Sequence, residues 1–319
     1  MGTPPTYRTT ASVIIVNWNG RHWLEQCLPA LAAQSFRDFE LIVVDNASSD
    51  GSPEWLAEQW PDVRLLQQPA NVGFAAGNNA GIRMAQGRYI VTLNNDTRPE
   101  AGWLAALVAA AGTPAVGMVA SKMVQWQTPD RLDSTGIEVD RLGVAWNRGW
   151  GELADTAAPP DVFGPSAGAA LYRRDMLDGI GLFDESFFAF YEDVDLAWRA
   201  QRAGWSCRYA AAAVVHHWHS ASTAAIPDQK LLLLGRNRLW CTLKNFPLPG
   251  LLRALPLIFL YELAAAAYQL WRHRSWGPLQ GRWEGLKGAW RVWQQRDRRY
   301  ARAIPLSPLR LRRLARLSG

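Results

Sequence analysis

A glycine-rich phosphate loop is missing from this 319-residue chain. No Gly-x-Gly-x-x-Gly follows the first strand-like run, so a dinucleotide-binding Rossmann domain is excluded, and no Gly-x-x-x-x-Gly-Lys-Ser/Thr occurs, which excludes a P-loop enzyme. Any phosphates must then be held by amides, acids or a metal. Cysteine is equally scarce: Cys27, Cys207 and Cys241 are scattered and match no metal or redox spacing. Thiols of that kind suit a reducing cytosol. The first ten residues are polar, and the apolar run Val13 to Val16 is far too short for the core of a signal peptide, so the expectation is a protein that is not secreted. No internal repeat is present.

What the chain has is an apolar half, enough for one large core, and a lopsided charge. From Arg272 to Gly319 thirteen Lys and Arg face two acids, Glu284 and Asp297. That +11 within a total of +6 leaves the first 271 residues at −5. A slightly acidic body with a basic tail points to a polyanionic surface as partner. Seventeen tryptophans are present, seven of them between Trp218 and Trp293.

The first half alternates β-rich runs with helical patterns. Ser12–Val16, Glu40–Val44, Val63–Gln67 and Tyr89–Leu93 read as strands; Trp23–Ala33, Pro53–Trp60, Phe74–Ala85 and Ala101–Ala111 read as helices. Such alternation implies βαβ units and a mostly parallel sheet with helices on both faces. A more irregular part runs from Ala115 to Thr223, with a loop at Asp155–Pro165, and the pattern is wholly helical after Asp228.

Parallel sheets bind ligands beyond the carboxyl ends of their strands. Each expected strand end carries a polar cluster: Asn17-Trp18-Asn19-Gly20, Asp45 to Ser52, Asn71 to Asn79, and Asn94-Asn95-Asp96-Thr97. One such cluster alone is turn chemistry, and Asp50 and Ser52 suit the start of the helix near Pro53. Four in register suggest a site. Further on, Phe187 to Tyr191 brings four aromatics straight into Glu192, Asp193 and Asp195. Adjacent acids raise one another's pKa, a helix start offsets part of that, and a carboxylate poised there can take a proton from a bound hydroxyl. The competing reading is an acidic first turn with an Asp195–Arg199 pair.

Ser12–Gly20 (SVIIVNWNG), Val43–Ser52 (VVDNASSDGS), Asn71–Asn79 (NVGFAAGNN), Leu93–Thr97 (LNNDT) and Phe187–Arg199 (FFAFYEDVDLAWR) occur in the order seen in family 2 glycosyltransferases. The chain resembles the rhamnosyltransferase-type branch over roughly residues 11–245. That resemblance implies an α/β fold of the GT-A type: a mostly parallel nucleotide-binding sheet with helices on both faces, followed by a C-terminal helical extension. It implies a transferase domain over 1–228, with a nucleotide-sugar half to about 114 and an acceptor half from 115, then a basic, Trp-rich extension over 229–319.

The activity implied is inverting transfer of a sugar from a nucleoside diphosphate donor, a dTDP- or UDP-sugar with dTDP-rhamnose favoured, to a hydroxyl of a glycan or lipid-linked acceptor. Asp45 would contact the donor's base and ribose, and Asn17, Asn46, Asn71 and Asn78 would line the same pocket. Leu93–Thr97 stands where the family has Asp-x-Asp, so Asp96 would bind a divalent metal, Mn²⁺ or Mg²⁺, on the diphosphate. Asn94 replaces the first acid and offers only a neutral oxygen. A histidine from His216, His217 and His219 would join, with His217 favoured; imidazole favours Mn²⁺. Asp193 would be the general base, with Glu192 holding an acceptor hydroxyl or tuning its neighbour.

Two other classes stay open: a sugar-1-phosphate nucleotidyltransferase, which would normally show a basic Gly-rich loop after strand one, and a non-catalytic nucleotide-sugar binder, suggested by Asn94 and opposed by Asp96 with Asp193. Gly164–Tyr172 is rich in small residues, suited to close backbone approach or to a packed strand.

Ala254–Trp271 is eighteen mostly apolar residues with Glu262 as the only charge, marginal for spanning a bilayer. The Arg–Trp interleaving that follows suits a membrane–water interface with anionic lipid. The expectation is a cytoplasmic enzyme, peripheral at the inner face of the cell membrane; a lid or dimer contact is the alternative. No nucleic-acid motif accompanies the basic tail, so nucleic acid is not an expected partner.

Overall fold

The structure, a computed structural model, describes residues 7–218, 227–297, 304 and 306–308. His219 and the stretch through Thr223 lie outside the described residues, as do 298–303, 305 and 309–319 of the basic tail. The first half runs β1 (Thr9–Asn17), α1 (Arg21–Ala32), β2 (Phe39–Asp45), α2 (Ser52–Gln59), β3 (Arg64–Gln67), α3 (Gly73–Met84) and β4 (Gly87–Asn94), as the alternation predicts. A short β5 (Thr97–Pro99) and α4 (Trp103–Ala110) follow.

The strands pair in the order β3-β2-β1-β4, all parallel. Register explains why β1 reads as an unbroken apolar run. Val13 and Ile15 face the layer of α1 and α4 with Leu24, Leu28, Trp103 and Leu107, while Ile14 faces the opposite layer with Ile42, Val44 and Ile82. Both faces of the sheet are covered, so alternation of polar and apolar residues has no place.

The second half extends the same sheet with β6 (Val116–Gln125), β7 (Leu132–Ser134), a β8–β9 hairpin (Ile137–Val139, Ala145–Asn147), β10 (Asp161–Val162), β11 (Ala169–Arg173), α5 (Arg174–Ile180), α6 (Glu192–Arg202) and β12 (Ser206–His217). Here the pairing is mixed: β11 lies antiparallel between β4 and β6, and β12 is parallel to β6. The expected loop at Asp155–Pro165 thus contains β10, an edge strand on β12. Small residues serve close packing here: a Cβ added at Gly164 would lie 2.4 Å from the Ala197 Cβ of α6. Arg173 and Arg174 are structural anchors. Arg173 donates to the carbonyls of Val116, Ala111 and Thr113, and Arg174 to those of Gly87 and Ala85.

Helices α7 (Pro227–Asn245), α8 (Leu248–His273) and α9 (Gly277–Gln294) complete the described chain. Glu262, the one charge in the apolar stretch of α8, turns inward and pairs with Arg238 of α7 and, at 2.8 Å, with Arg282 of α9. A buried pair left half-made is costly, so this triad fixes how the three helices meet. The outer faces of α8 and α9 expose large apolar side chains beside Arg272, Arg274, Lys287 and Arg291.

Candidate active site

The ends of β1, β2 and β4 form one hydrogen-bonded floor. Asn17 donates to the Asp45 carboxylate at 3.1 Å and to Ser48 Oγ at 3.2 Å, and accepts from Asn95 at 2.8 Å. The other Asp45 oxygen takes the Ser48 amide at 2.9 Å. Asn46 donates to the Gly73 carbonyl at 3.1 Å and to Asn71 at 3.3 Å. Asn17, Asp45, Asn46 and Asn71 are therefore brought together. Asn78 sits further along α3, donating to the Phe74 carbonyl. The side-chain oxygens of Asn46 and Asn78 are buried without a hydrogen-bond partner, a cost proteins bear where a ligand supplies the donor. Asp50 accepts from the Ser52 amide at 3.1 Å, so it does serve the start of α2.

A second cluster forms where β4 and β12 end. His217 is buried; its Nδ1 meets the Asp133 carboxylate, and its Nε2 lies 3.3 Å from Asp96 and 3.4 Å from the Asn94 amide. Burial disfavours the imidazolium, but Asp133 and Asp96 outweigh it and hold His217 up at about 10. Asp133 is the residue that sequence reading missed. It is fully buried on three-residue β7, and only the pairing of β7 with β6 brings it under the β12 end. Among the described residues no group of three or more His, Cys, Asp or Glu is gathered as for a metal ion. His216 faces outward to Glu100 at 3.3 Å instead.

The third cluster is the acidic helix start. Asp193 is half-buried at the first turn of α6; one carboxylate oxygen accepts the Ala167 amide at 3.2 Å and the other the Val194 amide at 2.8 Å. Burial pushes its pKa up to about 6, against the pull of those amides. Glu192 is raised further, by burial and then by the Asp193 charge, and one of its oxygens is buried without a partner. The loop before them is strained: Phe188, Phe190 and Tyr191 have φ of 66°, 68° and 68°, left-handed values that bulky residues seldom adopt.

This loop docks on the start of α3. The Phe188 carbonyl accepts the Ala75 amide at 3.0 Å, and Gly73 (φ 84°) leaves room that a Cβ, 2.5 Å from the Phe188 ring, would fill.

The Asp195–Arg199 pair of the plainer reading is present, at 2.9 Å, alongside the raised Asp193. Asp195 is fully buried, and besides Arg199 it meets Lys244 at 3.1 Å and Asn245 at 2.7 Å. Burial alone would raise it; Lys244 and Arg199 bring it down to about 2. The stability it contributes is thus present above its ordinary pKa of 3.8 and lost as pH falls toward about 2. Lys244 also meets Asp184 at 2.7 Å, so Lys244→Met strips both carboxylates of their cation, and the expected loss is about 3 kcal/mol in urea unfolding. A loss within ±0.5 kcal/mol, as for ordinary surface changes, contradicts that account.

Residues 12–181 match the sequence profile of glycosyl transferase family 2. An N-acetylglucosaminyl-diphospho-decaprenol L-rhamnosyltransferase of Mycobacterium tuberculosis is 29% identical over 248 residues, 69% of this chain and 79% of that one. The O-antigen biosynthesis protein RfbC of Myxococcus xanthus is 29% identical over 242 residues, 70% of this chain and 19% of its own length. Among solved structures, a mannosyltransferase from Pyrobaculum calidifontis in complex with GDP-Man and Mn²⁺ superposes with a TM-score of 0.55 at 20% identity, over 89% of this chain and 76% of that one. GalNAc-T7 with UDP, GalNAc and Mn²⁺ gives 0.58 at 15% identity, over 73% and 47%. The sheet order and the strand-end clusters agree with these likenesses in a GT-A architecture. With the profile spanning more than half its length, the chain belongs to glycosyl transferase family 2.

Proposed function

We propose that the protein is an inverting glycosyltransferase that moves a sugar, rhamnose from dTDP-rhamnose, to a hydroxyl of a lipid-linked acceptor. The observation that carries this reading is Asp193: a half-buried carboxylate of raised pKa at a helix start, two residues beyond a loop whose Phe188 carbonyl accepts the Ala75 amide of α3. The M. tuberculosis relative supports both the sugar and the diphospho-lipid acceptor by its name. Asp45 and the four asparagines hold the nucleoside. Asp193 takes the proton of the acceptor hydroxyl as that oxygen attacks the anomeric carbon from the face opposite the diphosphate, so configuration inverts. Glu192, kept neutral, donates to an acceptor oxygen. A binder without chemistry needs no such base, which favours the transferase. Radiolabelled sugar transfer from dTDP-rhamnose to a polyprenyl-diphosphate acceptor tests the reading; transfer only from other nucleotide sugars overturns the donor.

Asp96, His217 and the Asn94 side-chain oxygen would hold a divalent cation once the ion displaces the proton that the two carboxylates keep on the His217 ring: one carboxylate, one imidazole and one neutral oxygen. Asp133 fixes the ring through Nδ1 and turns Nε2 to Asp96. Bound there, Mn²⁺ at least as well as Mg²⁺ would neutralise charge on the departing diphosphate. Excess chelator is expected to abolish transfer, with Asp96→Asn mimicking the loss and Asn94→Asp tightening Mn²⁺ binding. Full turnover in chelator removes the metal from this account.

The enzyme sits at the cytoplasmic face of the membrane, held by α8 and α9. Of fourteen exposed large apolar side chains among the described residues, thirteen lie between Leu248 and Trp290. One helix, Leu248–His273, is long and apolar enough to cross a bilayer. Its inward-turned Glu262 and its docking on α9 favour lying in the interface over spanning it.

A further inference from the structure

Asn237 lies in the middle of α7, beyond the residues matched by the family profile, and is fully buried. Its side-chain amide donates to three backbone carbonyls of the aromatic loop: Phe187 at 2.9 Å, Ala189 at 2.8 Å and Phe190 at 2.8 Å. The neighbouring Arg236 reinforces it, reaching the Phe187 carbonyl at 3.0 Å and accepting an anchor of its own by donating to Asn237 Oδ1 at 2.9 Å. Those carbonyls belong to the segment whose left-handed residues would otherwise relax. A backbone in sparsely populated φ/ψ persists only where its surroundings over-determine it, and three carbonyls turned onto one amide are such a constraint. The loop ends at Tyr191, and Asp193 follows two residues later.

We infer that Asn237 is a positioning residue for the transfer step: through three carbonyl contacts it holds the strained aromatic loop and so aims the first turn of α6 into the cleft. It touches neither donor nor acceptor. The inference rests on Asp193 as the base, and it makes α7 part of the active site and not an appendage to it. The placement predicts how a defect divides. The nucleotide floor on β1 and β2 is built without Asn237, so donor binding is spared. The step that needs Asp193 in place is not. Asparagine is the side chain required, because an isosteric aspartate presents carboxylate oxygens to three carbonyls and has no proton to give them.

The experiment compares the full chain with Asn237→Asp, Asn237→Ala and a control, Arg282→Met, which loosens the α8–α9 contact without reaching the loop. In both Asn237 variants amide hydrogen exchange over 187–195 should rise about tenfold or more while β1 and β2 stay protected. Transfer kcat should fall about tenfold or more with donor KM nearly unchanged. Arg282→Met, matched for thermal stability, should keep kcat. Unchanged exchange over 187–195 in Asn237→Asp overturns the inference, as does an equal kcat loss in the Arg282 control. Should the wild-type chain transfer no sugar, the catalytic reading fails, and the exchange measurement still decides whether Asn237 holds the loop.

Discussion

Asp193→Asn is expected to lower kcat by about 10²-fold or more while leaving donor affinity within about twofold, because a general base acts on the transition state and not on the bound nucleotide. The amide is isosteric and its oxygen can still accept one of the Ala167 and Val194 amides, so the fold and the loop should survive the loss of the other contact. The pH profile gives an independent signature. A base works only when ionised, so kcat should climb with pH through the raised Asp193 pKa, about 6, and level off above it. An unperturbed aspartate would place that rise two units lower, near 3.8. Burial, and then the Asp193 charge, hold the Glu192 pKa well above the ordinary carboxylate range. Glu192→Gln should therefore keep the hydrogen bond to the acceptor, lower the acid limb modestly and cost far less than Asp193→Asn. If Asp193→Asn kept a tenth or more of wild-type kcat, against the losses general bases usually show, the base would have to be sought elsewhere.

Much of the first half was legible because both faces of its sheet are buried. Runs such as Ser12–Val16 can only be interior parallel strands, and the polar clusters must then fall at their ends. The strand and helix limits observed differ from those expected by one to two residues at most sites, up to three at the start of β1. The second half was legible only through its motifs. That β11 inserts antiparallel between β4 and β6 depends on non-local pairing, and no local periodicity encodes it. Asp133 was invisible for the same reason: in Leu132-Asp133-Ser134 it reads as a turn acid, and only the fold sets it against His217. Asn237, flanked by Arg236 and Arg238, reads as a solvated helix face, yet all three turn inward to carbonyls or to Glu262. The left-handed Phe190 and Tyr191 carry no signal at all, since aromatic side chains disfavour that conformation and the strain is imposed from outside. Sequence pattern reports what a residue prefers; the loop before α6 is built from residues held against preference.

Liposome flotation is expected to show the full chain rising with anionic vesicles and staying in solution with neutral ones. Exposed Trp276, Leu279, Trp283, Leu286 and Trp290 recur at three- and four-residue spacing down one side of α9, and Leu252, Phe259, Leu260 and Leu263 extend the apolar surface on α8. Exposed Arg272, Arg274, Lys287 and Arg291 accompany them. Tryptophan and arginine together match the headgroup boundary, where indole rings anchor and each cation near an anionic leaflet contributes about 1 kcal/mol. A 3.5-residue stripe also suits pairing with a second copy, but such seams pack aliphatic knobs into holes that indoles overfill. Truncation is a poor probe here, because Trp240 of α7 donates to the Gly285 carbonyl of α9 and removal of α9 would strip the helix that holds the active-site loop. Surface variants avoid that. Trp276, Trp283 and Trp290 changed together to Ser should abolish flotation at high salt, where apolar insertion alone would persist. Arg272, Arg274, Lys287 and Arg291 changed together to Gln should abolish the preference for anionic lipid, since that attraction is the part salt screens. Soluble-donor hydrolysis should be unaffected in both, while transfer to a membrane-embedded acceptor should fall about tenfold or more, as the enzyme loses the local concentration that surface attachment provides. A full chain that remains in solution with anionic vesicles at low salt, and sediments as a dimer that the Trp variant breaks, assigns this face to a second copy instead.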